Sequence, residues 1–185
     1  MSLTGRWIDL IFRVATGSWK VRLLVAPLVG LFYAGLIGSF ILLAVIADRW
    51  LGLPAVPCPP WSLGAGVPLL LLGFLLMVYS LAHFIRVRGT PVPFSPPPRL
   101  VDTGPYRYAR NPMLTGIFAQ LFGLGLLLSS LSLFCFFTPL FILINAWELK
   151  FVEEPELEKR LGEDYRRYKK RVPMFFPRFK GVDNP

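Results

Sequence analysis

Histidine occurs once, at His83, and cysteine twice, at Cys58 and Cys135. Zinc sites draw on several such side chains, so this scarcity excludes one. One cysteine lies in a proline cluster and the other in an apolar run, with no metal or redox spacing, so no disulfide framework follows. Charge is sparse as well: Asp, Glu, Lys and Arg make up 17% of the 185 residues, against about 25% in soluble domains. Acid is the scarcer sign, with 11 Asp and Glu against 20 Lys and Arg and a formal net charge of +9. Hydrophobic residues are plentiful, 54% of the chain, and the mean hydropathy is +0.55. That excludes a disordered chain and argues against an ordinary soluble domain. The length suits a single domain. A basic chain meets either nucleic acid or an anionic membrane surface, and the placement of its charge separates the two.

Residues 1–22 set Trp7, Leu10, Ile11 and Val14 at helical spacing among Arg6, Arg13, Lys20 and Arg22. This predicts an interfacial helix lying on a membrane, with a frayed tail as the alternative. Residues 23–47 carry no charge over twenty-five positions, enough to span about 30 Å of hydrocarbon. Gly30, Ala34 and Gly38 recur there every fourth residue, which permits close helix packing. A loop over 48–66 has Trp50 and Trp61 at its borders, an aromatic belt. A second apolar segment runs over 67–85. Residues 86–112 hold seven prolines, two glycines and five arginines, which forbids a long helix. Apolar runs over 113–128 and 131–147, joined at Ser129-Ser130, read as an antiparallel hairpin. The Gly123–Gly125 GxG follows no strand, so helix packing explains it better than a dinucleotide fingerprint. In the charged segment 148–185, Leu157, Leu161, Tyr165, Tyr168 and Val172 mark one face of a helix.

The sequence thus predicts an all-α integral membrane protein. It has about four transmembrane helices (1–2 within 23–85, the hairpin within 113–147), an N-terminal interfacial helix and a C-terminal amphipathic helix. If four helices span, nineteen of the twenty basic residues fall on one side. The positive-inside rule makes that side, with both termini, cytoplasmic. Charge placed this way argues for membrane lipids as partners and against nucleic acid.

The hairpin brings Arg110-Asn111-Pro112 near Glu148 to Glu154 on that cytoplasmic side. Asn is a favoured N-cap and Pro a favoured first helical residue, so a helix N-terminus able to bind an anion is expected at Asn111. Pro155 disfavours helical geometry at Glu154, so the fourth helix is expected to end or bend at Glu153-Glu154. Both carboxylates then point into one cavity. Helix punctuation and a solvated acidic turn are the plain alternatives. An anion site facing an acid pair suits a ligand such as S-adenosylmethionine without selecting it.

The run Leu100-Val101-Asp102-Thr103-Gly104-Pro105-Tyr106-Arg107-Tyr108-Ala109-Arg110-Asn111-Pro112-Met113 resembles the isoprenylcysteine carboxyl methyltransferases and their bacterial relatives. So do Glu153-Glu154, the block from Gly162 to Pro173 and the segment from Pro177 to Val182. The wider group includes phospholipid and thiol methyltransferases. The resemblance implies a small helical membrane methyltransferase that binds S-adenosylmethionine at its cytosolic face, here in a bacterial inner membrane. It implies a cofactor site lined by Leu100, Val101, Tyr106, Arg110, Asn111, Pro112, Met113 and Leu114. Glu153 matches the cofactor-binding acid, with Glu154 beside it, and these two are the candidate catalytic residues. Asn111 and Leu114 stand where eukaryotic members have His and Tyr. Lys150 is the cation nearest to the family's substrate arginine. The leading expectation is carboxyl O-methylation of an isoprenylcysteine-like lipid. Phospholipid N-methylation, small-thiol S-methylation and non-catalytic binding of anionic lipid are the alternatives.

Overall fold

The computed structural model describes residues 9, 19–53, 60–86 and 100–176. The interfacial helix expected over 1–22 lies outside them, apart from Asp9 and residues 19–22, which are helical. Residues 87–99 of the proline-rich loop and the tail beyond 176 also lie outside.

Among the described residues every regular element is a helix: α1 (Trp19–Trp50), α2 (Pro60–Arg86), a 3₁₀ turn (Gly104–Arg107), α3 (Pro112–Leu127), α4 (Thr138–Glu148), α5 (Glu154–Leu161) and α6 (Glu163–Arg171). π-helical turns at Leu133–Phe137 and Leu149–Glu153 join the fourth run into one continuous helix through α4 and α5. Three helical stretches are long and apolar enough to cross a membrane: Pro27–Trp50, Trp61–Arg86 and Leu133–Leu161. α3 is apolar but has only 16 residues, a length of about 24 Å. Pro112 fixes its start, and Ser129, with φ 52°, turns the chain soon after its end. The second helix begins earlier than the expected residue 67. Pro60 tolerates the first helical position, where its missing N–H breaks no bond.

The α2–α3 contact is the most extensive in the molecule, and glycine is its cause. A Cβ on Gly73 would lie 2.5 Å from the Gly116 carbonyl oxygen, and one on Gly116 equally close to that of Gly73. Seven residues along each helix, a Cβ on Gly123 would lie 2.8 Å from the Gly66 carbonyl. Two antiparallel backbones therefore touch at two levels, the small-residue packing open to membrane helices. The stripe on α1 behaves otherwise. A Cβ on Gly30 or on Gly38 would meet nothing within 4 Å among the described residues, so none of them makes the close packing expected there. α1 instead uses its aromatic face. Phe141 of α4 is fully buried, ringed by Tyr33 (5.8 Å between centroids), Phe40 (5.3 Å) and Phe118 (6.1 Å).

At the other end, Asp48 closes α1 onto the hairpin turn. Its carboxylate accepts from the Ser130 hydroxyl and, at 2.9 Å, from the Ser132 backbone N–H. The side chain of one helix thus caps the start of another, where backbone donors lack intrahelical partners. Asp48→Ala is expected to cost about 1–2 kcal/mol, the worth of a strong N-cap. Thermal unfolding in detergent, with Asp164→Ala as an exposed-acid control, measures this.

The two π turns share one cause. Glu154 is helical (φ −60°, ψ −41°), and its N–H bonds to the Leu149 carbonyl, five residues back. Thr138 likewise bonds to Leu133. Each stands immediately before a proline, Pro155 and Pro139. A proline lacks the N–H and crowds the carbonyl four residues back; a widened i→i+5 turn relieves both. Of the expected end or bend at Glu153-Glu154, the end does not occur: the fourth helix passes through, distorted there by the π turn. The expected C-terminal helix is in turn divided. Gly162 adopts φ 61°, a region open to glycine, and separates α5 from α6. The predicted face survives the break: Leu157 and Leu161 pack with Tyr165, Tyr168, Val172 and Leu100.

Candidate functional site

The segment 110–115, which opens α3, is bound along its length by the segment that follows α6. Arg110 N–H donates to the Pro173 carbonyl at 2.8 Å, and Asn111 N–H to that of Met174 at 3.0 Å. The Thr115 hydroxyl donates to the Phe175 carbonyl at 3.1 Å, and the Phe175 ring packs against Phe118. The Arg110 guanidinium completes the clasp. It donates to the carbonyls of Lys169 (3.1 Å) and Val172 (2.6 Å) and forms an ion pair with Glu154. The second oxygen of Glu154 meets Lys169 Nζ at 2.6 Å, and Lys169 reaches on to Glu158 at 3.0 Å. Burial opposes the charge on Lys169, but the Glu154 and Glu158 carboxylates outweigh it and hold its ammonium above the usual lysine range. Tyr168 donates to the Tyr106 carbonyl at 2.7 Å, and Tyr106 packs on Phe84 of α2. Burial raises the hydroxyl pKa of Tyr106, Tyr165 and Tyr168, so all three remain neutral.

Asn111 occupies the N-cap position of α3 without capping it. Its side-chain amide points to the Met174 carbonyl at 3.4 Å. The first intrahelical bond runs from Thr115 N–H to the Asn111 carbonyl. The N–H groups of Met113 and Leu114 are therefore left without a partner among the described residues, at the positive end of the helix dipole.

The predicted site residues fall into three groups. Arg110, Asn111 and Glu154 meet in the clasp; Glu154 is only 2% exposed, with both oxygens committed. Leu100 packs on the C-terminal face, Val101, Tyr106 and Pro112 are buried, Met113 is half-buried, and the half-buried Leu114 leans on the core. Glu153 is half-buried and has no ion-pair partner among the described residues. It stands in the field of Glu148, Glu156 and Glu154, with Arg160 opposing. Lys150 stands apart from all three: it is exposed, its ammonium over the adjacent Phe151 ring at 5.6 Å.

The structure adds two residues that sequence reasoning did not place at the site, Tyr33 and Asn145, beside Glu148, which it did. Tyr33 of α1 donates a hydrogen bond to the Asn145 side chain of α4, and Tyr33 lies in the field of both Glu148 and Glu153. Their signal was available: polar groups inside apolar runs are costly and are kept for a reason.

A family model described as phospholipid methyltransferase matches residues 61–164, more than half of the chain. The matched stretch holds α2, α3, the fourth helical run and the Arg110–Glu154 pair. It leaves out α1 and the segment 165–176 that clasps Arg110. No curated protein and no solved structure matches the chain.

Proposed function

Because the chain belongs to the phospholipid methyltransferase family, whose members are membrane methyltransferases, we propose that it uses S-adenosylmethionine to methylate a lipophilic acceptor. The observation that carries this reading is the Arg110–Glu154 ion pair. It ties an uncapped helix N-terminus to the turn that bears Glu153, so donors for an anion and an acid for a cation share one small volume. A carboxylate beside a positive sulfur centre matches that donor set. When bound, the cofactor supplies an already activated methyl group. The chain's own task is to align and to dry. The Met113 and Leu114 N–H groups hold the carboxylate, and Glu153 offsets the positive centre. Arg110 and Glu154 fix the geometry between them. Leu100, Val101 and Tyr106 exclude water from one side.

Calorimetric titration of S-adenosylmethionine, which carries the positive sulfur, into detergent-purified protein tests the reading. Saturable binding is expected, weakened about tenfold or more in Glu153→Gln, as for losing a charged hydrogen bond of about 1.5–3 kcal/mol. Absence of binding at millimolar ligand, from folded protein, sinks it. Steeply salt-dependent liposome affinity without cofactor binding instead identifies a passive lipid-binding protein.

The acceptor divides into two readings. The blocks around Asn111, Glu153 and Tyr165 resemble carboxyl methyltransferases and support an isoprenylcysteine-like carboxylate. The matched family supports a phospholipid amine. Turnover of a prenylcysteine analogue against phosphatidylethanolamine separates them, and a small thiol in the same assay covers the third acceptor chemistry. If α3 spans as a fourth helix, nineteen of the twenty basic residues fall on one side, which supports a site at the cytosolic face of an inner membrane.

A further inference from the structure

We propose that Glu148 is the acceptor-facing acid of this site: with Tyr33 and Asn145 it holds a lipophilic amine and takes the proton the amine must lose before methylation. This rests on the methyltransferase reading and specifies its acceptor.

The π turn at Leu149–Glu153 is the first ground. In an α-helix, residues five apart point about 140° away from each other, at about 100° per residue. An i→i+5 turn removes most of that angle. Glu148 and Glu153 are thereby brought onto one side of the run, and Glu153 stands in the field of Glu148.

Pairing is the second. Glu154, Glu156, Glu158 and Glu163 each have a lysine or arginine partner. Glu148 and Glu153 have none among the described residues. Lys150, two residues on, turns outward over Phe151. Glu148 also lies within the apolar stretch Leu133–Leu161, where an unpaired carboxylate is costly and calls for a cation or a proton.

The third ground is what surrounds it. Tyr33 closes the acids from α1, its hydroxyl fixed on Asn145. Asn145 is itself held by a 2.7 Å bond to the Phe141 carbonyl. Beside Glu148, Trp147 and Phe151 form an exposed aromatic pair 5.9 Å apart, an apolar wall for a hydrocarbon chain. A single positive charge on an apolar body fits this place, whereas a carboxylate acceptor meets two like charges.

The chemistry balances. The ammonium gives one proton to the Glu148 carboxylate. The freed nitrogen lone pair forms the N–CH₃ bond as the S–CH₃ bond of the sulfonium donor breaks, and the bonding pair leaves with sulfur as a thioether. Glu148 then returns its proton to solvent.

The test uses the full-length protein in nanodiscs with Glu148→Gln and, as a shape-preserving second variant, Tyr33→Phe. Binding of dodecylamine and of dodecanoate is measured by calorimetry at saturating S-adenosylhomocysteine, followed by steady-state methylation of dodecylamine. Wild type is expected to prefer the amine. Glu148→Gln should weaken amine binding at least tenfold, lower kcat by about 10²–10⁴-fold, the usual worth of a general base, and leave saturable S-adenosylhomocysteine binding in place. Tyr33→Phe should weaken amine binding severalfold. Normal S-adenosylhomocysteine binding with unchanged dodecylamine affinity in Glu148→Gln, or a wild-type preference for dodecanoate, overturns the assignment and leaves the parent reading standing. Failure of wild type to bind S-adenosylhomocysteine overturns the parent reading itself.

Discussion

Replacing Arg110 with methionine is expected to cost about 3–5 kcal/mol of stability, the usual penalty for removing one partner of a buried ion pair. The Arg110 side chain is 9% exposed and that of Glu154 3%. Without the guanidinium, Glu154 keeps only Lys169 and cannot regain water, and the Lys169 and Val172 carbonyls lose their donor. Lysine is no substitute, because one ammonium cannot reproduce a planar fork that reaches three acceptors. Arg110→Lys should therefore recover less than half of the loss. Thermal unfolding in detergent measures the cost, and trypsin cleavage after Lys169, Lys170 and Arg171 reports release of α6. An unchanged melting temperature would show that the clasp is incidental. Lys169 has its own signature. Its raised pKa contributes stability that is complete below the ordinary lysine range and is lost as pH rises through the raised value. Alkali should loosen that arm.

Alanine at Gly73 or at Gly116 should produce the second large effect. Each Cβ would enter within 2.5 Å of a backbone carbonyl that cannot move without the helix. Overpacking costs about 1–3 kcal/mol where side chains yield, and here backbone must yield, so at least the upper end is expected. Both substitutions push apart the same pair of helices. Once one has done so the other finds space, and the double variant should lose at least about 1 kcal/mol less than the sum of the singles. Gly30→Ala is the control. Its site is open and helical, so it should be neutral or stabilising by up to about 1 kcal/mol. Equal losses at all three positions would remove the close helix contact from the account of this fold.

The all-helical class was legible because charge-free runs of this length have few alternatives. The meeting of Arg110 with the Glu154 region was legible too, because a hairpin turning at Ser129-Ser130 returns the chain to where it left. What escaped was local. Pro155 was read by its usual effect on the preceding residue, yet Glu154 is helical, because a π turn absorbed the proline one turn earlier. No spacing rule distinguishes that outcome from a helix end. The small-residue stripe on α1 and Gly66, Gly73, Gly116 and Gly123 of α2 and α3 look alike in sequence, and among the described residues the second set alone meets a facing helix. Which of two equivalent faces is used depends on where the partner helix lies. The acid pair shows the same limit. Glu153 and Glu154 are neighbours in the chain, but Glu154 is sealed in the clasp, and the acid that shares Glu153's side is Glu148, five positions away.

The clasp on Arg110 has a consequence for biosynthesis. Its acceptors, the carbonyls of residues 169–175, lie sixty positions downstream of the donors. A chain made from the N-terminus places every membrane helix before those carbonyls exist. Insertion into the bilayer and completion of the site are thus separate events in time, and a nascent chain can be fully threaded while the start of α3 still lacks its partners. Chains truncated before residue 169 and held on the ribosome by a linker long enough to clear the exit tunnel should be membrane-integrated yet open at Arg110, and the site should close when the linker instead follows Phe175.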